Sequence, residues 1–357
     1  MDPRLIEKLL KREKEGTVRS LSHFEGFTDF FSNDYLGLSK VKTNSIESSF
    51  GSTGSRLISG NSKHMLNAED HLAEFFKASA ALMFNSGYDA NLGLFGCIPQ
   101  RGDTILFDEY IHASVRDGIQ LSRANSFSFK HNDCKSLESK MKLSKGTIYV
   151  AIEGLYSMDG DVPPLIEFLG LCDKYDAKLI IDEAHSAGVY GEKGKGLIVK
   201  FGLENHVFAR LVTFGKAYGS HGAVILGTEK LIDYLINFSR PFIYTTALPD
   251  SVFKHNAGIV RYKNSELSRL KLQENIDYFR ENYSSTKLIS DTKSPIQIIE
   301  LGSIERAKIL SKRLQRSKIA VKPIFYPTVP IGSERIRLCI HSFNSVSEID
   351  TLLNGLH

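Results

Sequence analysis

Between residues 80 and 226 the chain repeatedly breaks its helical periodicity with short runs of β-branched and other apolar residues. These runs, at 80–84, 104–107, 147–152, 178–181, 211–214 and 223–226, read as strands. Stretches such as 65–77 and 165–175 carry apolar residues at helical spacing instead. Strands alternating with helices of this length need crossover connections, and crossovers place helices on both faces of a mostly parallel sheet. From about residue 251 the texture changes. A polar-amphipathic helical stretch runs to about 282, and short strands at 295–301, 320–324 and 335–340 surround a helix at 304–316. The chain therefore reads as α/β in three parts. An N-terminal arm and segment spans 1–45, a large domain spans 46–250, and a small C-terminal α+β domain with its linking helix spans 251–357.

Composition excludes several classes. With 42% apolar and 24% charged residues the chain is an ordinary globular one, and 357 residues bury an ample core without staples. A net charge of +4, with no run of five like charges, gives no footprint for nucleic acid. The apolar runs fall far short of the roughly 18 residues of a membrane span. The start, MDPRLIEKLLKREKEG, has no apolar core of a signal peptide, and Glu7 and Glu13 do not suit a transit peptide. Cys97, Cys134, Cys172 and Cys339 are widely separated and form no CxxC pair, so free thiols and a cytoplasmic setting are expected. No metal site is expected either.

In open parallel sheets, ligands bind beyond the carboxyl ends of the strands, so polar residues just after a strand are the informative ones. Three places qualify. In KLIIDEAH (178–185), Asp182 ends an apolar run. The string DEAH resembles a helicase box, but no GxxxxGK[ST] phosphate loop exists to accompany it. In ARLVTFGKAYGSHG (209–222), Lys216 follows a strand inside a glycine-punctuated turn. A lysine there can simply reach solvent, and Asp182 can simply cap a helix. Taken together, a lysine and an acid at equivalent ends of two strands are what pyridoxal phosphate requires, one for a Schiff base and one for the pyridinium nitrogen. In FNSGYDAN (84–91), Ser86, Gly87 and Tyr88 offer backbone N–H groups at a helix start, a seat for phosphate. His112, after another strand, is placed to lie against an aromatic ring. No GxSxG elbow of a hydrolase occurs.

The motifs FSNDYLGL (31–38), GSTGSRLISG (51–60), FNSGYDAN (84–91), HAS (112–114), EGLYSMDGD (153–161), DEAHSAGVYGEKGKG (182–196), TFGKAYG (213–219) and PTVP with RIRL (327–338) are collinear over some three hundred residues. In these the chain resembles the α-oxoamine synthases, pyridoxal-phosphate enzymes of the aspartate-aminotransferase fold (fold type I). The resemblance implies a mostly parallel central sheet in a large domain and a smaller C-terminal α+β domain. It implies that Lys216 forms the Schiff base, Asp182 pairs with the pyridine nitrogen and His112 stacks on the ring. His185 and Ser157 are implied at the phenolic oxygen. Ser86, Gly87, Tyr88 and Thr213 are implied at the phosphate, with Thr245 or Thr246 from a second subunit of a homodimer. Arg337 and Asn33 are implied at the amino-acid carboxylate, Thr328 at substrate, and Arg19 at the acyl chain.

The expected reaction is the decarboxylative condensation of L-alanine with a pimeloyl thioester, carried on coenzyme A or an acyl-carrier protein. A cation such as Arg19 suits the far end of a dicarboxylic chain. Sister enzymes that take glycine or serine with another acyl-CoA are the alternative, and a cofactor-binding subunit without turnover is a remoter one. The chain departs from the family pattern in a shorter N-terminal region and a bulkier Ser220-His221 after Lys216.

Overall fold

A computed structural model describes residues 2–41 and 51–357. The boundary drawn at 45/46 lies outside the described residues. By backbone proximity the chain divides into two units. One comprises Asn33–Ser157 and Asp161–Leu270; the other comprises Met1–Ser32, Met158–Gly160 and Lys271–His357. Residues up to 32, drawn above as part of an arm, thus group with the C-terminal region.

A two-residue strand, β1 (Thr28–Asp29), precedes the seven strands of the larger unit. These are β2 (Ala80–Phe84), β3 (Thr104–Asp108), β4 (Asn125–Phe129), β5 (Ile148–Glu153), β6 (Lys178–Asp182), β7 (Ala209–Thr213) and β8 (Ala223–Gly227). They form one sheet in the order β2-β8-β7-β6-β5-β3-β4. The β4-β3-β5-β6-β7 run is parallel, and β8 is antiparallel to both of its neighbours. With β8 alone reversed, the carboxyl ends of β2, β3, β5, β6 and β7 share one edge. Alternate residues of these strands (Tyr149 and Ala151, Ile180, Ala209 and Leu211) pack into one apolar cluster with Ala90, Leu94 and Val115. Their opposite faces (Val150, Ile152, Leu179, Ile181) pack into a second cluster with Leu165, Phe168 and Leu169. Burial on both faces explains the near-continuous apolar runs.

Four helices matter for the site or its surroundings: α1 (Pro3–Lys14), α2 (Lys63–Phe75), α3 (Gly87–Cys97) and α4 (Ala113–Leu121). Their starts are written locally. Asp2 accepts from the Arg4 N–H, Ser62 from Met65, Ser86 from Asp89 and His112 from Ser114, each filling an orphan donor of the first turn.

The smaller unit holds a three-stranded antiparallel sheet of β9 (Ile296–Glu300), β12 (Arg335–Cys339) and β11 (Pro323–Ile324). Its β10 (Ile319–Ala320) pairs in parallel with β1. The expected strand at 320–324 is therefore two short ones serving different sheets. The expected helical stretch at 251–282 is also two helices, Asp250–Ile259 and Ser265–Asn282. Between them the Arg261 and Tyr262 N–H groups turn back onto the Gly258 and Ile259 carbonyls, which tightens and ends the first helix.

Candidate active site

The two strand-end residues singled out from the sequence meet other side chains at the shared carboxyl edge. Asp182 closes β6 and is buried. Its Oδ1 accepts from the Ala184 N–H at 2.9 Å and its Oδ2 from the Asn91 amide at 2.8 Å. The Asn91 amide also donates to Ser114 Oγ at 3.0 Å, and Ser114 Oγ lies 2.8 Å from His112 Nδ1. The Ser114 N–H donates to the same Nδ1 at 3.2 Å. With Nδ1 accepting, a neutral His112 carries its proton on Nε2. Burial holds the His112 pKa below its usual value and Lys216 reinforces this, against the pull of Asp182 and Asp117.

Lys216 follows β7 in the turn 214–222. Its Nζ lies 2.7 Å from His185 Nε2, and His185 Nδ1 lies 2.7 Å from the Tyr35 hydroxyl. The Tyr35 hydroxyl lies within 3.3 Å of Asn33 Oδ1 as well. A line of polar groups thus runs Lys216–His185–Tyr35–Asn33. The turn is pinned at Gly219, whose φ is +59° and whose missing side chain lets the backbone of Ser39 approach closely.

At the end of β2, Ser86 caps α3, so the free N–H groups of the first turn, including those of Gly87 and Tyr88, are available to an anion. A Cβ placed on Gly87 would lie 3.6 Å from Thr213 Cβ, which brings the hydroxyl of Thr213 beside the helix start. The Tyr88 hydroxyl is bonded to Asp117, so its backbone rather than its ring faces this seat. The Asn85 amide binds Thr245 Oγ1 at 2.9 Å and the Thr246 carbonyl at 3.0 Å, which fixes that pair beside the same corner of its own chain. Ser157 is half-buried in the turn after β5.

The remaining expected residues belong to the smaller unit. Arg19 donates to Thr328 Oγ1 at 3.4 Å, so these two are brought together. They line a groove of about 920 Å³ with Lys308, Lys322, Phe24 and Tyr326. Arg337 lies buried in β12 and points a guanidinium nitrogen at Cys339 Sγ, 3.1 Å away.

Sequence reasoning missed four participants. Asn91 and Tyr35 stand inside quoted motifs, but their partners Asp182 and His185 are 91 and 150 residues away. Glu153, which ends β5, is 3% exposed and has an Oε1 with no hydrogen-bond partner. Glu183 of the DEAH string binds Arg210 at 2.7 Å and the N–H groups of Leu197 and Ile198 at 2.6 and 3.2 Å. Its role is to fix the 195–198 turn. The set present fits pyridoxal phosphate: an amine, a buried carboxylate with one N–H donor on each oxygen, an imidazole of fixed tautomer and a helix-start anion seat. The unpartnered Glu153 oxygen marks polar space beside them.

The family model for aminotransferase class I and II matches residues 25–356. The chain is 38% identical over 391 residues to 8-amino-7-oxononanoate synthase of Emericella nidulans, covering 99% of this chain and 94% of that protein. It is 35% identical to the enzyme of the same name from Marinobacter nauticus, covering 92% and 86%. Among solved structures, the 8-amino-7-oxononanoate synthase of Francisella tularensis is similar at TM-score 0.79 and 32% identity, covering 93% of this chain and 97% of that one. Serine palmitoyltransferase of Sphingomonas wittichii is similar at TM-score 0.90 and 26% identity, covering 99% and 95%.

Proposed function

This chain belongs to the aminotransferase class I and II family, and from that premise we propose that it condenses L-alanine with a pimeloyl thioester, releasing CO2 and the carrier thiol to give 8-amino-7-oxononanoate. It is a pyridoxal-phosphate-dependent acyltransferase of the α-oxoamine synthase type, with a role in biotin biosynthesis. The observation that carries this reading is the pairing of Lys216 and Asp182 at one sheet edge in a chain 38% identical over nearly its full length to an enzyme of that name. When bound, the cofactor supplies an electron sink for charge developing at the alanine Cα.

This chain's residues supply the rest. Lys216 Nζ would carry the cofactor and then, displaced by the alanine amine, accept the Cα proton. His185, bonded on both ring nitrogens, holds that amine in place and connects it through Nδ1 to the Tyr35 hydroxyl. Asp182, its charge held by Asn91 and Ala184, would keep the ring nitrogen protonated. His112, its tautomer fixed by Ser114, would lie against the ring. The Ser86–Tyr88 N–H groups and Thr213 would hold the phosphate, and Ser157 would reach the phenolic oxygen. Arg337 and Asn33 are assigned to the alanine carboxylate, and Thr328 and Arg19 to the acyl chain. The Cα pair forms the bond to the thioester carbonyl carbon, the C–S bond breaks and the thiolate takes a proton from solvent. The bond from Cα to the carboxylate then breaks as CO2 leaves its pair at Cα, and Lys216 would return its proton there.

A homodimer is the proposed working form, in which Thr245 or Thr246 would serve the partner's phosphate. The apolar stripe of α1 (Leu5, Ile6, Leu9, Leu10, each 43–56% exposed) supports a covering chain. Four free cysteines suit a reducing cytoplasm. The similarity to serine palmitoyltransferases favours a second reading, serine with a long-chain acyl-CoA. Assaying alanine, glycine and serine against pimeloyl and palmitoyl thioesters, with thiol release and product mass as readouts, separates the two. Turnover with alanine and the pimeloyl thioester alone is expected.

A further inference from the structure

Glu153 and Asp182 end neighbouring parallel strands and are paired in register. Directly paired residues of adjacent strands project to the same face, so both carboxyl groups lie on the face that carries α3 and the candidate cofactor seat. Both are buried, Glu153 at 3% and Asp182 at 8% exposure. Two anions sealed side by side repel, and each also bears the cost of leaving water. One proton relieves both penalties, and the donors decide where it goes. Asp182 has a donor on each oxygen, from Ala184 and Asn91, an arrangement that stabilises a carboxylate. Glu153 Oε1 has none.

We propose that Glu153 is a positioning residue held as the neutral carboxylic acid, which leaves Asp182 the sole anion of the pair. The role given to Asp182 rests on the pyridoxal-phosphate reading; the protonation of Glu153 rests on the strand register and the donors. A charged Glu153 would set a second anion beside Asp182 and compete with Asp182 for the proton on the cofactor's nitrogen. A neutral one keeps the negative charge of the pair at Asp182 alone. Groups around it agree. Burial first, then Asp182, push the Glu153 pKa well above the usual carboxylate range, and Asp108 of β3 adds to this. Lys216 and the His112 N–H pull the other way without reversing it.

The test uses the full-length chain as purified and reads stability and vibrational spectra, so it stands apart from any failure of the proposed condensation. A glutamate whose pKa is raised by folding contributes stability that is complete below its unfolded pKa and is lost as pH rises. Glu153→Gln cannot ionise and escapes this loss. Its melting temperature should gain on the wild type by a few degrees in all between pH 5 and pH 8. The infrared band of a protonated carboxyl should be visible in folded wild type at pH 7.5, absent on unfolding at the same pH, and absent in Glu153→Gln. Glu153→Met serves for both measurements should the amide fail to fold. A gap that stays flat or narrows with rising pH, or a folded wild type without the band, overturns the proposal.

Discussion

Lys216 and Asp182 were legible as a pair: each alone has an ordinary structural reason to stand after a strand, but an amine and an acid in equivalent positions after two strands together fit one cofactor. Their partners were not. Asn91 lies in the second turn of α3 among apolar residues, and nothing local says that its amide reaches across to a strand 91 residues away. Replacing Asn91 with Ala removes one of the two side-chain or main-chain donors on Asp182. A hydrogen bond to a charge is worth roughly 1.5–3 kcal/mol, so cofactor affinity should fall about 10- to 100-fold, read by titrating the cofactor's visible absorbance into stripped protein. Tyr35 is fully buried and packs by its ring, so Phe retains the shape while removing the bond to His185 Nδ1. The kcat of Tyr35→Phe should fall up to about tenfold with little change in the KM for alanine, because the lost group orients the proton-transfer line rather than the substrate.

At the scale of elements, the helix at 304–316 and the buried strands were legible from periodicity, whereas β4 was not. Its sequence, Asn125-Ser-Phe-Ser-Phe129, is exposed except at Phe129 because it is the edge of the sheet, so no apolar run marks it. What anchors β4 there is the turn that follows. His131 sits between Asp108 Oδ1 at 2.9 Å and Asp161 Oδ2 at 2.8 Å, stacked on Tyr110 with ring centres 4.5 Å apart. Despite partial burial, the two carboxylates raise its pKa to about 10. The folded value lies above the usual 6.5, so this imidazolium stabilises the fold fully below about pH 6.5 and progressively less up to about pH 10. In His131→Gln the urea midpoint should therefore lose less between pH 7 and pH 10 than in the wild type. An equal loss in both would remove His131 from the account of this turn.

The Glu183–Arg210 pair joins β7, the 195–198 turn and the end of α2, where Arg210 also donates to the Phe76 carbonyl at 2.7 Å. Both side chains are buried, so Arg210→Leu strands a charge and should destabilise by about 3–5 kcal/mol, measured by urea unfolding. That string resembled a helicase box from sequence alone, and only packing shows that its glutamate is structural.

For the molecule as a whole, the chain order of strands and helices foretold a mostly parallel sheet, and the collinear motifs foretold the family. The grouping of residues up to 32 with the C-terminal quarter was not legible, because it depends on pairings such as Thr28 with Ile319, 291 positions apart. The central claim is that one amine, Lys216, performs the chemistry on alanine and a pimeloyl thioester. The most direct measurement is mass-spectrometric detection of 8-amino-7-oxononanoate and CO2 from those two substrates, with wild type and Lys216→Ala compared at equal cofactor loading. Product from the wild type and none from Lys216→Ala is the predicted result. Undiminished turnover in the variant, or a wild type that turns over only serine with a long-chain thioester, would contradict it.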